Sequence, residues 1–432
     1  MPMPVYPTIV VPGITASYLT DEYPLPPQTV WSVMTKEYER AGMHPDDLRY
    51  EAVEPARVVA GQVFEVAYRE LIEELRYNLR PAEDKPVPVF AFPYDWRQPL
   101  DMIEAQLATF IEEVIARTRL LRHYDREGFG AAPKVNLVGH SMGGLIIAGY
   151  LQRAGAAAQV HKVATLGTPF QGSFEAVIKI TTGTADLGVT APSSRERESA
   201  RLTPSLYHLL PSFAEGVEID PALPQSLFDP GVWQPSILKT IEDYIRLRGL
   251  GRRGVSEQAA TLFATMLAAA RTHRERVGTL DLADCGMTPA QWLCVAGAGS
   301  DTRVQLAVRR AGRAPEFSFR SKDRLNLWGK TTPERTRQTG DGTVPLAGAL
   351  PPFLAAENVV CVTPGDYGYW ELKDSALTGM AGFHGIMPNM NMLHRMLVAH
   401  LSGRPIKYGN VWGWRAPGVE TAKWPIDGME AK

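Results

Sequence analysis

The sequence predicts an α/β fold, with a mostly parallel central sheet, helices on both faces and an inserted helical cap. Three observations predict it. Short β-type runs such as Tyr6–Val11, Val87–Phe92 and Lys162–Gly167 alternate with amphipathic stretches at Gln62–Asn78 and Met102–Leu121, the order that builds a parallel sheet covered by crossover helices. The run Val135–Val138 passes through Gly139-x-Ser141-x-Gly143 into an apolar, helix-forming stretch ending near Leu151, which reads as strand, sharp turn, helix. From about residue 175 to 290 the alternation stops and helical patterns take over, notably Ile237–Leu247 and Glu257–Arg276.

In chain order, Tyr6–Val11 is the first strand and leads into Pro12-Gly13-Ile14-Thr15-Ala16-Ser17, a turn of mostly small residues that lets backbone approach a ligand. Residues 18–60, with Pro24, Pro26 and Pro27 among Tyr18, Tyr23 and Trp31, read as an irregular excursion bordering a substrate entrance. Gln62–Asn78 is helical, its stripe formed by Phe64, Val66, Ala67, Leu71, Ile72 and Leu75. Val87–Phe92 is a strand ending in Pro93-Tyr94-Asp95-Trp96-Arg97, where Asp95 and Arg97 can pair and brace the floor of a site. Met102–Leu121 is a long helix before the strand–turn–helix segment. In the cap, Arg246, Arg248, Arg252 and Arg253 form a basic cluster that reads as a solvated face, with transient contact to an anionic membrane surface as the alternative. Trp292–Ala296 resumes the sheet, Val304–Val308 and Glu316–Arg320 pair as a hairpin beside the site, Asn358–Val362 is the last strand and Pro388–Leu401 the last core helix. The expected organisation is a first core part over 1–174, a cap over 175–290 and a second core part over 291–432.

Composition excludes several classes. A chain of 432 residues with 45% hydrophobic and 21% charged residues is an ordinary globular protein with room for one large domain carrying an insertion, or for two domains. A formal net charge of −2 supplies no field to attract nucleic acid. The three cysteines, Cys285, Cys294 and Cys361, have no C-x-x-C spacing and suggest neither a disulfide framework nor a metal cluster. No apolar run approaches a membrane span, and the N-terminus lacks the charged and apolar regions of a signal peptide, so the expected setting is cytoplasmic. Nothing in the pattern speaks to oligomeric state.

The chemistry centres on Ser141. The G-x-S-x-G spacing, preceded by a strand and followed by a helix, is that of a nucleophile elbow, the hallmark of the α/β-hydrolase fold, and the glycines remove side chains where the turn meets neighbouring backbone. The N–H of Met142, in the first turn of the following helix, points where an oxyanion would form. A second donor in this fold comes from a loop after an early strand. Ile14, following Gly13, is the candidate, although a simple strand-ending turn explains Pro12-Gly13 as well. A serine needs a base, and the base an orienting acid, in the order Ser, Asp or Glu, His. Of nine histidines, His384 in Gly382-Phe383-His384-Gly385-Ile386 falls in a loop after the last strand, while His394 and His400 lie in the helical pattern as surface or packing residues. For the acid, Asp341 in Gly340-Asp341-Gly342 and Asp301 after a core strand compete evenly, with Asp366 behind them.

Six segments taken together resemble one family. Val10-Val11-Pro12-Gly13, Tyr94-Asp95-Trp96-Arg97, Gly139-His140-Ser141-Met142-Gly143-Gly144, Gly167-Thr168-Pro169, Gly340-Asp341-Gly342-Thr343-Val344 and His384-Gly385-Ile386 are similar, in order, to motifs of the lecithin:cholesterol acyltransferase family, which includes lysosomal phospholipase A2-like enzymes. The resemblance implies Ser141 as nucleophile, Asp341 as acid and His384 as base, with the backbone N–H groups of Ile14 and Met142 as oxyanion hole. The expected function is a serine ester hydrolase acting on a small or lipid-like acyl ester, with no cofactor or metal. The alternatives are an acyltransferase or phospholipase passing a lipid acyl group to an alcohol and, from another class, a non-catalytic ligand receptor on the same fold.

Overall fold

A computed structural model describes residues 5–22, 26–32, 38, 40–46, 58–184, 193–213, 216–251, 253–312, 314–321, 339–368, 371, 382–420 and 424–432. Along the chain, strand β1 (Thr8–Val11) is followed by β2 (Ser17–Asp21), β3 (Gln28–Trp31) and β4 (Val58–Val63), then helix α1 (Glu65–Leu79). Next come β5 (Val89–Ala91), α2 (Leu100–Arg119), α3 (Arg122–Arg126), β6 (Val135–His140), α4 (Met142–Ala154) and β7 (Val160–Leu166). The inserted region holds α5 (Phe174–Thr182), α6 (Ser194–Arg201), α7 (Pro204–Tyr207), β8 (Val217–Ile219), α8 (Pro235–Arg248) and α9 (Val255–Gly278). The chain closes with β9 (Trp292–Gly297), β10 (Arg303–Ala311), β11 (Ala314–Ser321), β12 (Val359–Val362), a helix over Asn391–Ser402, β13 (Trp412–Arg415) and β14 (Glu430–Ala431).

The central sheet has eight strands in the order β14-β13-β12-β9-β7-β6-β1-β5. Its pairs are parallel except β12 with β13. Alternation along each strand sends side chains to opposite faces. Ile9 and Leu137 join a core packed under α2, α4 and α9, while Val10 and Val138 join a second core under α1 and the helix Asn391–Ser402. This is the α/β-hydrolase fold, and β6 lies centrally, so its C-terminal end opens into the crevice where ligands bind in such sheets.

Several elements differ from expectation for local reasons. The excursion after β1 is ordered as a three-stranded antiparallel sheet, β3-β2-β4. Tyr23 and Pro24 lie outside the described residues. Gln62 belongs to β4, and helix α1 starts only at Glu65, because Val58–Val63 pairs with β2. Its buried stripe is Ala67, Tyr68, Leu71, Ile72, Leu75 and Leu79, so Tyr68 occupies the place expected of Val66, which is exposed. Helix α2 begins at Leu100 because Pro99, at φ −57° and ψ 144°, is itself non-helical and stands as the N-cap. The last helix begins at Asn391, with Met387–Asn389 forming a separate 3₁₀ turn. The tail, with no strand expected, supplies β13 and β14. Asp366 fastens it, accepting from Trp412 Nε1, Trp414 Nε1 and Lys432 Nζ.

The hairpin β10–β11 pairs with β8 and extends the inserted region, with none of its residues among the walls of the site cavity. Its Val304, Leu306 and Val308 are buried, and Phe317 of β11 stacks on Trp233. Arg246 pairs with Glu242 and Asp243, and Arg248 and Arg253 are exposed; Arg252 lies outside the described residues. The three cysteines are free and buried. Among the described residues no helix is long and apolar enough to cross a membrane, and no group of His, Cys, Asp or Glu is arranged to hold a metal ion.

Candidate active site

Strand β6 is buried along its whole length and ends at His140, after which Ser141 takes φ 54° and ψ −128°. A non-glycine residue at positive φ is strained, and such strain persists only where the surroundings hold it. Here they do. Ser141 N–H donates to the Leu166 carbonyl at 2.9 Å, and α4 starts immediately after. A Cβ at Gly143 would run into the carbonyl oxygens of Val11 and Pro12, so the elbow and the loop after β1 can only meet this closely with glycine there. A Cβ at Gly139, at the end of β6, would run into the Gly144 backbone, and one at Gly144 would run into the Thr168 side chain of the next loop.

Ser141 Oγ lies 2.8 Å from His384 Nε2, and His384 Nδ1 lies 2.6 Å from Asp341 Oδ2. All three are buried. The other Asp341 oxygen accepts the backbone N–H groups of Thr343 at 3.0 Å and Val344 at 2.7 Å, which fixes the carboxylate plane. His384 lies in a helical stretch, 382–386, where a loop was expected, and its own N–H ties it to the Asp341 loop by donating to the Asp341 carbonyl at 3.1 Å. Gly167, at φ 55°, makes room for the pair, since a Cβ there would lie 2.9 Å from Asp341 Oδ2 and 3.2 Å from His384 Nδ1. Asp301 is exposed, and Asp366 is engaged with the tail, so of the three acids only Asp341 meets the histidine. His394 and His400 are both buried, with Nε2 on the carbonyls of Pro388 and Val163.

The loop after β1 faces this line of residues. Gly13, Ile14 and Thr15 border the same cavity as Ser141 and His384. The Gly13 N–H is already used, donating to Tyr68 Oη at 2.9 Å. No acceptor among the described residues takes the Ile14 N–H. Thr15 is held at φ 62°, its hydroxyl donating to the Ile14 carbonyl at 2.6 Å and its carbonyl accepting from Trp31 Nε1 at 3.0 Å. From below, Tyr94 Oη donates to the Pro12 carbonyl at 2.8 Å. The segment Tyr94–Arg97 thus has distinct tasks. Tyr94 pins the loop, Asp95 and Arg97 form a buried ion pair at 2.9 Å, and Trp96 packs edge-on against Trp31 while its carbonyl accepts from Ser205 of the inserted region.

The cavity over Ser141 measures about 360 Å³. Its walls are mainly apolar, with Trp31, Phe64 and Trp96 from the core and Ala176, Leu206 and Leu209 from the inserted helices. Glu175 and Lys179 are its charged members; Glu175 is paired with Arg303 at 2.6 Å.

Sequence reading missed Tyr68 and His140. His140 is one of the two variable residues of G-x-S-x-G, and the spacing gives it no role. Burial pushes its imidazole down to about 3, with the nearby His384 adding to the effect, and burial likewise lowers His400 to about 3. Both stay neutral in the fold, whereas in the unfolded chain they take up protons near 6.5. Unfolding therefore binds protons below pH 6.5, and stability is lost on acidification from there toward 3, each histidine removing about 1.4 kcal/mol per pH unit once well inside the window. Urea midpoints at pH 7.5 and pH 5 should differ accordingly; equal midpoints would contradict burial of neutral imidazoles.

The fold and this site define a class, an acyl-ester hydrolase or acyltransferase built on the α/β-hydrolase fold. Within that class, the family model for lecithin:cholesterol acyltransferase matches residues 66–236, so this part of the chain is similar to that family. Among solved structures, the crystal structure of a Tle4–Tli4 complex aligns over 92% of this chain and 98% of that one, at 13% identity and a TM-score of 0.58, a likeness of fold alone. The lin2722 gene products of Listeria innocua align over 99% of this chain and 98% of theirs at 11% identity with a TM-score of 0.32. No curated protein sequence matches the chain.

Proposed function

We propose that the protein is a serine ester hydrolase working through an acyl-enzyme on Ser141. The observation that carries this reading is the hydrogen-bonded line Ser141–His384–Asp341 at the base of an apolar cavity roofed by inserted helices. Asp341 accepts the Nδ1–H of His384 and stabilises the imidazolium that forms. His384 Nε2 removes the proton from Ser141 Oγ as that oxygen bonds to the ester carbonyl carbon. The N–H groups of Met142 and Ile14 receive the resulting oxyanion, each donor being worth roughly 3 to 4 kcal/mol in comparable hydrolases. Collapse breaks the bond to the alcohol, which leaves with the proton from His384. Water then gives a proton to His384 and attacks the acyl carbon, the bond to Ser141 breaks, and the proton returns to Oγ. An alcohol in place of water turns the same cycle into acyl transfer.

The apolar walls suit an aliphatic acyl chain. The test is turnover of p-nitrophenyl esters of increasing chain length, with and without an added alcohol, together with labelling by a fluorophosphonate. We expect one label per chain, on Ser141, and a rate optimum at a chain long enough to occupy the cavity. Failure to turn over any ester, or a label on another serine, would overturn the proposal.

A further inference from the structure

We propose that Tyr68 and His140 are positioning residues that lock the oxyanion loop and the base-bearing segment into one geometry through a directional hydrogen-bond relay. This inference rests on Ser141 being the nucleophile. Four separate segments meet in it: the loop after β1, helix α1, the end of β6 and the helical stretch 382–386. Gly13 N–H donates to Tyr68 Oη at 2.9 Å, Tyr68 Oη lies 2.7 Å from His140 Nδ1, and His140 Nε2 lies 2.9 Å from the His384 carbonyl oxygen.

The direction follows from counting protons. The final carbonyl can only accept, so His140 Nε2 must carry a hydrogen and donate it. A neutral imidazole then has Nδ1 as acceptor, and Nδ1 must receive the single phenolic hydrogen of Tyr68. The phenolic oxygen is thereby left to accept from Gly13. Each member has one arrangement, and no member can reverse alone. Both side chains are buried, Tyr68 at 1% and His140 at 4% exposure. Burial also raises the phenol of Tyr68 and lowers the imidazole of His140, so neither changes charge in the ordinary working range.

Two consequences bear on catalysis. Because Gly13 N–H is occupied, the next amide, that of Ile14, is the one left to meet an oxyanion. Because His140 holds the backbone of His384, the imidazole above Ser141 is aimed from its own main chain as well as by Asp341. The His140 and His384 rings lie with centroids 5.0 Å apart, so a charged His140 would oppose the imidazolium formed during acyl transfer, and a neutral donor avoids this. Neither Tyr68 nor His140 transfers a proton to substrate in this scheme.

The relay predicts a rate effect separable from stability. Tyr68→Phe keeps the ring in the core and removes the hydroxyl; His140→Leu removes both bonds of the imidazole. Each is expected to lower kcat about 10- to 100-fold, the scale of a small misplacement of reacting groups, with KM nearly unchanged. Inhibition by an alkyl boronic acid, which forms a tetrahedral adduct on serine, should weaken by the same factor as kcat, while a non-hydrolysable ether analogue of the ester should bind as before. His140→Gln can accept from the phenol and donate to the carbonyl, and should recover most of the rate. It also serves as the folded reference if His140→Leu does not fold. Variants that lose thermal stability yet keep kcat and boronate affinity would overturn the relay and leave Tyr68 and His140 as packing residues. An inert wild type, or an active Ser141→Ala variant, would instead overturn the nucleophile reading, and the relay with it.

Discussion

Ser141→Ala and His384→Ala are each expected to lower kcat toward a p-nitrophenyl ester by on the order of 10⁶-fold, and Asp341→Asn by about 10⁴-fold, as in other enzymes where the three groups act as one unit. The physical reason is visible in the contacts. Ser141 has its proton acceptor at 2.8 Å, and that acceptor has its orienting carboxylate at 2.6 Å. Removing one partner leaves the others without their task, so double variants should lose little beyond the single ones. Asp341→Asn presents an amide where a carboxylate accepted from both His384 and two backbone N–H groups, so it turns the imidazole to the wrong tautomer while leaving the loop largely in place. Steady-state kinetics on the purified variants, with circular dichroism to confirm folding, measure this. If Asp341→Asn kept full activity, another acid would have to orient His384, and among the described residues Asp301 is too exposed to do so.

Glu104→Ala should destabilise the fold by about 3 kcal/mol, the lower end of what breaking a buried ion pair costs, because Arg276 reaches partly to solvent and can rehydrate. Glu104 is 1% exposed and joins three helices. It accepts from Arg153 of α4 at 3.0 Å, and from His273 at 2.8 Å and Arg276 at 2.7 Å, both of α9. Burial by itself would raise its carboxyl, but the bonds from His273 and Arg276 outweigh burial and hold it below the ordinary carboxylate value. That stability is present above pH 4.5 and lost as the pH falls through the depressed value. Gly149 is part of the arrangement, since a Cβ there would occupy the position of the carboxylate. The inserted region is thus clamped to the core through α9. Urea denaturation of Glu104→Ala beside Arg153→Ala, whose partly exposed cation should matter by less than about 1 kcal/mol, distinguishes the clamp from a surface pair. Equal losses in the two would sink it.

Much of this was legible in the sequence because it is local. The elbow is a pattern of five consecutive residues whose steric demand is satisfied by glycine, and the strand before it and the helix after it are each short, periodic and apolar. The alternation of β-type runs with amphipathic stretches carried the sheet class, since a parallel pair requires a crossover. The place of His384 followed from lying between the last expected core strand and the last helix, although residues 382–386 are helical where a loop was expected. The acid was less clear, because Asp-Gly is a common turn pair and nothing local separates Asp341 from Asp301; the resemblance to a family separated them on paper, and distance separates them in the fold.

Other features are decided only when distant segments meet. Tyr68 stood outside the apolar stripe expected of its helix, and His140 looked like a free choice within a motif; their pairing spans 72 residues and a second bond from His140 spans 244. Residues 18–60 looked irregular because a β2–β4 pairing across a long connection leaves no periodic trace in either strand. Glu104, His273 and Arg276 are ordinary residues on exposed-looking helix faces until α2 and α9 pack together. By itself the sequence determined the elements that form from neighbours, the elbow and the crossover pattern, and the chain order in which Ser141, Asp341 and His384 follow one another. Tertiary structure alone decided which acid faces the base, which backbone N–H remains for an oxyanion and how the inserted helices are held over Ser141. Those outcomes depend on angstrom-scale approach between segments far apart in the chain, and no local propensity encodes such approach.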